Sequence, residues 1–167
     1  MLSFIKNIFQ PRLLNAALAW QQLGNDAGSA YWLYAAPVNL VLQRDSFTLA
    51  TPLPLPLEKA EIDALTGELN KHFAEGLMFY WHEKQWFLKL LSDPNIQTNP
   101  PENATNKDID AFLPTGAGAM KWASFTNELQ MLLFTHLVNQ VREAKNLPAV
   151  NSIWCYGGGS LQTSKQK

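Results

Sequence analysis

The sequence predicts an α+β fold: a mainly antiparallel sheet built from two hairpins plus a C-terminal strand, packed against two long helices and an N-terminal helix. Two patterns carry that expectation. Runs of aromatic and β-branched residues flank short polar turns at two places, which is the signature of hairpins. Two other stretches repeat apolar residues every three or four positions, which is the signature of amphipathic helices. The composition agrees, with 47% hydrophobic and only 16% charged residues in 167. A chain of this length buries a core without staples and is read as one domain over 1–159, with an N-terminal helix and loop over 1–30 and a polar tail over 160–167.

Taken in order, the start "MLSFIKNIFQPRLL" sets Leu2, Ile5 and Phe9 against Lys6 and Arg12, a short basic amphipathic pattern. It is read as part of a helix reaching Leu23 that packs on its own domain, and "GNDAGSA" then marks a loop. "YWLYA" over 31–35 predicts a strand that Pro37 interrupts or bends. "VNLVLQ" and "FTLA" flank Arg44, Asp45 and Ser46 as the first hairpin, and "TPLPLPL" over 51–57 reads as a stiff connector. "EKAEIDALTGELNKHFA" over 58–74 is the clearest helix, with Ile62, Leu65, Leu69 and Phe73 on one face and Gly76 beyond its end. "LMFYW" and "QWFLKLL" around His82, Glu83 and Lys84 give the second hairpin, and 92–106 reads as loop. A long helix is expected over 117–145, stopping before Pro148, and a last strand over 150–156. Within that strand Ile153 and Cys155 should share one face, and Trp154 and Tyr156 the other. Gly157, Gly158 and Gly159 should form a tight turn leaving it, or an anion cradle if their N–H groups are free.

Composition also excludes functions. Thirteen basic against fourteen acidic side chains leave a net charge of -1, so there is no positive field for nucleic acid. The single cysteine, Cys155, rules out an internal disulfide and a cysteine-based zinc site, and a reducing cytoplasm is expected. Its neighbours Trp154 and Tyr156 favour a packed core thiol over a nucleophile. No apolar run approaches the ~20 residues that cross a bilayer, and Pro11 and Arg12 stand where a signal peptide would continue its apolar stretch, so a membrane role is not expected. His72, His82 and His136 lack H-E-x-x-H spacing, no Asp-Gly loop presents carboxylates, and G-x-S-x-G is absent. Neither a metal nor a cofactor is expected.

The polar residues that call for explanation lie on the expected long helix. At about 3.6 residues per turn, Phe125, Leu129 and Leu132 form an apolar stripe that His136, Asn139 and Glu143 continue. Polar groups on a buried face must be hydrogen-bonded, because each unpaired one costs about 1–3 kcal/mol. Two readings follow. One is a pocket in which His136 and Glu143 are catalytic candidates and Arg142 clamps an anion. The other is a structural network pinning the helix to the C-terminal strand, with Asn151 or Ser152 among its members. Ligand-binding candidates are Asn139, Arg142, Asn151, Trp154, Gly157, Gly158 and Gly159.

The order and spacing of "YWLYAAPVNL", "QWFLKL", "KDIDAFLPTG", "NELQMLL", "HLVNQVRE" and "VNSIWCYGGG" resemble a family of uncharacterised bacterial proteins, many of them labelled cofactor-independent phosphoglycerate mutase. The resemblance covers residues 31–159 and corresponds to the central part of typically longer members. It implies functional roles for Asp108, Asn127, Glu128, Gln130, His136, Asn139, Arg142, Glu143, Asn151 and Trp154. Where relatives read Arg-Ala-Asp-Pro-Val-His, this chain has Tyr34, Ala35, Ala36, Pro37, Val38 and Asn39, so a charged site there is reduced. Mutase chemistry in such enzymes needs a serine nucleophile and two divalent metals held by Asp and His, which this inventory does not supply. Two functions are therefore carried forward. The first is a non-catalytic binding or scaffold domain with a protein partner, suggested by six tryptophans and nine phenylalanines. The second is an enzyme or sensor acting on a small phosphorylated or carboxylated metabolite, with Arg142 and the glycine N–H groups holding the anion and His136 as acid or base.

Overall fold

The computed structural model describes residues 15–161, so the basic amphipathic start and most of the polar tail lie outside the described residues. Helix α1 (Ala16–Gln22) begins where the Asn15 side chain accepts the Leu18 N–H at 3.2 Å, and it buries Ala16, Ala17 and Trp20. Strand β1 (Tyr31–Val38) follows the loop and is buried over almost its whole length. Pro37 does not interrupt it. The partner strand beside Tyr31–Tyr34 has ended before Pro37, so the missing N–H is not called on, and the Pro37 carbonyl instead accepts the Leu55 N–H at 2.9 Å.

Strands β2 (Leu40–Gln43) and β3 (Ser46–Leu49) form the first hairpin, turning at Arg44 with φ 52. The proline stretch is a connector, although Leu55 within it is buried. Helix α2 (Lys59–His72) buries Ile62, Leu65 and Leu69, the face its periodicity predicts, and the Glu58 N–H donates to Glu61 Oε1 at 2.9 Å across its first turn. Strands β4 (Leu77–His82) and β5 (Gln85–Leu90) pair in register from Leu77 opposite Leu90 to His82 opposite Gln85, with Glu83 at φ 56 in the turn. The following loop carries two short 3-10 turns, Pro101–Ala104 and Ile109–Phe112.

The expected single helix over 117–145 is two helices, α3 (Ala119–Phe134) and α4 (Leu137–Ala144). No glycine or proline breaks it. The His136 imidazole does, by accepting the Val138 N–H at Nδ1 over 3.0 Å and so capping a new helix. Strand β6 (Ser152–Gly159) closes the fold and also departs from expectation, because it starts later and runs through all three glycines.

The main sheet has the order β4-β5-β1-β6 and every pair is antiparallel; β2 and β3 form a separate ribbon. Both faces of the main sheet are covered. Leu33, Ala35, Ile153 and Cys155 join α2 and α3 residues such as Leu65 and Leu129, whereas Trp32, Tyr34, Trp154 and Tyr156 join Trp20 and Ile109. The predicted alternation along β6 holds, and both of its faces are core. Each fully buried leucine or larger apolar side chain contributes roughly 1.5–3 kcal/mol, so a sheet lined on two sides is the principal source of stability. Among the described residues no helix is long and apolar enough to cross a membrane.

Candidate ligand cleft

The break at His136 redistributes the polar residues of the expected helix. On α4 it is Asn139 and Arg142 that are buried, while Glu143 is exposed. The Asn139 amide donates to the carbonyls of Leu133 at 2.7 Å and Val150 at 2.8 Å, and its oxygen accepts the Val150 N–H at 2.7 Å. That side chain ties the end of α3 to the start of β6. Arg142 donates through Nε to the Pro148 carbonyl at 2.7 Å and through Nη1 to Glu61 Oε2 at 2.9 Å, locking α4 to the first turn of α2. Burial pushes the Glu61 carboxyl up, but the Glu58 N–H and Arg142 outweigh it and hold the acid below its ordinary 4.5. Because His136 Nδ1 is an acceptor, the neutral ring carries its proton on Nε2. That nitrogen lies 3.3 Å from Glu68 Oε2, yet off the line of a hydrogen bond, so the contact is ionic only when the ring is charged. His136 and Glu143 are thus not joined, and the Arg142 guanidinium faces a carboxylate of the chain itself.

The glycines are packed rather than looped. Gly157, at φ 65, sits where the register of β6 against β1 shifts, and its N–H donates to Thr98 Oγ1 at 3.2 Å. A side chain at Gly158 would collide with the Tyr31 hydroxyl, and one at Gly159 would meet the Asn15 side chain at 2.6 Å. The sharp turn expected at 157–159 is therefore a bulged strand pressed against β1 and the cap of α1. Two further candidates also act inside the fold. Asn151 accepts the Leu40 N–H at 2.7 Å and donates back to the Leu40 carbonyl at 2.9 Å, and Trp154 donates through Nε1 to the Asn99 carbonyl at 2.7 Å. Cys155 is buried, which pushes its thiol up to about 12.

What the structure does bring together is a cleft of about 480 Å³ between α3, the Ile109–Phe112 turn, the β2–β3 ribbon and β6. Its walls are largely aromatic and aliphatic, with Phe112, Trp122, Phe134 and Trp154 among them. Its polar groups include Asp110, Asn127, Gln130 and Ser152; among the described residues neither lysine nor arginine lines it. Gln130 donates to the Ser152 hydroxyl at 3.0 Å, which leaves the Gln130 carbonyl oxygen as an acceptor. The size and the sparse polar groups on apolar walls are those of a small-molecule site. Three separated stretches of sequence, "KDIDAFLPTG", "NELQMLL" and "VNSIWC", meet there. The residue patterns placed weight on His136 and Arg142 and passed over Phe112, and Asn127 and Gln130 entered only through the family resemblance, because the cleft depends on the helix ending at Phe134 rather than continuing past it. Among the described residues, no group of three or more His, Cys, Asp or Glu stands close enough to hold a metal ion, so a two-metal centre does not fit residues 15–161.

Fold and cleft together define an antiparallel α+β architecture with an open cleft along one flank. No family profile matches the chain. A segment of 104 residues, 59% of the chain, is 33% identical to the 2,3-bisphosphoglycerate-independent phosphoglycerate mutase of Methanosarcina barkeri, and the match covers 25% of that protein. The fold is similar to that of the cofactor-independent phosphoglycerate mutase from Thermoplasma acidophilum, with a TM-score of 0.58 and 15% identity over 93% of this chain and 43% of that one. The chain is thus distantly similar, in sequence and in fold, to cofactor-independent phosphoglycerate mutases and spans less than half the length of either.

Proposed function

We propose that this chain is a phosphoglycerate-mutase-like module that binds a small metabolite in the cleft between α3 and β6, as a sensor or as the binding part of an enzyme. The convergence of three motif stretches on that one cleft carries the reading. The similarity to two mutases supports it over a scaffold role. The six tryptophans that pointed to a protein interface are also accounted for inside the fold: Trp20, Trp32, Trp86, Trp122 and Trp154 are buried, and Trp81 packs against the core. In the cleft, Phe112, Trp122 and Phe134 would cover the body of the ligand, and Asn127 and Gln130, one helical turn apart on α3, would orient its polar edge. The mutase reaction is not assigned to residues 15–161, which offer no two-metal ligand set.

The test is an amide-resolved NMR titration with 3-phosphoglycerate, other carboxylated and phosphorylated metabolites, and neutral compounds. Shifts should gather at Asn127, Gln130 and 152–155, and Ala123→Trp, which fills the cleft from an exposed position on α3, should abolish them. Shifts centred on His136 and Arg142, or binding indifferent to Ala123→Trp, would refute the assignment. Interconversion of 3- and 2-phosphoglycerate with manganese, lost on chelation, would overturn the exclusion of mutase chemistry.

A further inference from the structure

We infer that the ligand of this cleft is an uncharged, peptide-like amide about two residues long, lying along β6 as a short added strand; the inference rests on the cleft being the binding site. The backbone of β6 points to it. Ile153 stands opposite Pro37, which has no N–H and turns its carbonyl away from β6 to the Leu55 N–H. The Pro37 and Ile153 pair therefore exchanges no ladder hydrogen bonds, and by the two-residue period neither does the pair of Ala35 and Cys155. The N–H and C=O groups of Ile153 and Cys155 accordingly face outward from the sheet, and both residues line the cleft. They find no partner among the described residues.

The strand edge is closed on either side of these two residues. At one end Asn151 takes both backbone groups of Leu40, and at the other the Gly157 N–H is used by Thr98. The open stretch thus offers two donor and acceptor pairs about 7 Å apart, the repeat of two strand residues. Unpaired backbone groups beside apolar walls are costly, and an added strand satisfies them all at once. Charge narrows the class further. A phosphate reaching the two N–H groups would also meet two carbonyl oxygens and a lining that includes the Asp110 carboxylate, with no lysine or arginine among the described lining residues to offset them. An amide presents a donor to each carbonyl and an acceptor to each N–H. The closed ends restrict its length, which favours a free dipeptide-sized compound over a segment threading through from a longer chain.

The probe is N-acetyl-leucyl-valine N-methylamide, compared with the same compound methylated on its backbone nitrogens and with 3-phosphoglycerate. The parent compound should shift and slow the hydrogen exchange of the Ile153 and Cys155 amides. Methylation should weaken binding by about tenfold for each hydrogen bond lost, and Ala123→Trp should abolish it. Failure of the parent to bind, or binding indifferent to methylation, would overturn the inference. If 3-phosphoglycerate alone bound in an Ala123→Trp-sensitive manner, the cleft would stand as the site and the amide class would fall. If no compound bound, both would fall.

Discussion

Arg142 is the buried cation whose role the sequence left open, and its partners now set a measurable acid sensitivity. The Glu61 carboxyl, held below its ordinary value, contributes stability that is present above about pH 4.5 and is lost as the pH falls through its folded value. Replacing Arg142 by methionine leaves the Pro148 carbonyl and Glu61 Oε2 without their Arg142 donor and should cost about 2 kcal/mol at neutral pH. It should also flatten the dependence, because Glu61 would no longer lose a cationic partner on protonation. Urea midpoints of both proteins between about pH 6 and pH 3 would decide the matter. An unchanged acid slope in Arg142→Met would show that the pair does not act as described.

At the scale of elements, close approach decides which glycines are needed. Gly118 begins α3 with its N–H donating to the Asn95 carbonyl at 2.9 Å, and an added methyl would collide with the Pro94 carbonyl oxygen. That obstacle is backbone, so Gly118→Ala should destabilise by roughly 2–3 kcal/mol. The obstacle at Gly158 is the Tyr31 hydroxyl, the far end of a side chain that can swing aside. Gly158→Ala should therefore cost less, and pairing it with Tyr31→Ala should leave little further interaction to lose. Thermal unfolding of the three variants tests the ranking. Equal losses for Gly118→Ala and Gly158→Ala would contradict it.

For the whole molecule, the shared sheet couples two cores. Leu129→Ala, on one face, should cost about 3 kcal/mol, and Trp20→Ala, on the other, a similar amount. Each should lower one common transition in which tryptophan fluorescence and far-ultraviolet dichroism coincide. Separate transitions by the two probes would mean that the faces unfold independently. The parts of this plan legible in the sequence were those with strong periodicity: α2 through Ile62, Leu65 and Leu69, and the second hairpin through its aromatic runs around Glu83. The division of α3 from α4 was not, because the cap is an imidazole following threonine, with none of the usual Ser, Asp, Gly or Pro punctuation. Nor was the strand through Pro37, whose tolerance depends on where β5 stops. The cleft was hidden for a related reason: half of its chemistry is backbone, whose direction follows from strand register and not from residue type.

The paired bonds between Asn151 and Leu40 have a consequence for how the protein ages. They fasten the β2–β3 ribbon to the start of β6 and so fix one wall of the cleft, and the asparagine concerned precedes a serine, a sequence in which side-chain amides hydrolyse slowly in water. Hydrolysis would exchange the nitrogen that meets the Leu40 carbonyl for a second oxygen, replacing attraction with repulsion at that contact. While both bonds are made, the amide is not free to turn toward the backbone nitrogen that would attack it. Material stored for long periods would accumulate one extra negative charge at a rate set by how often the ribbon lifts, so the mass and charge of an old sample would record the opening of that wall.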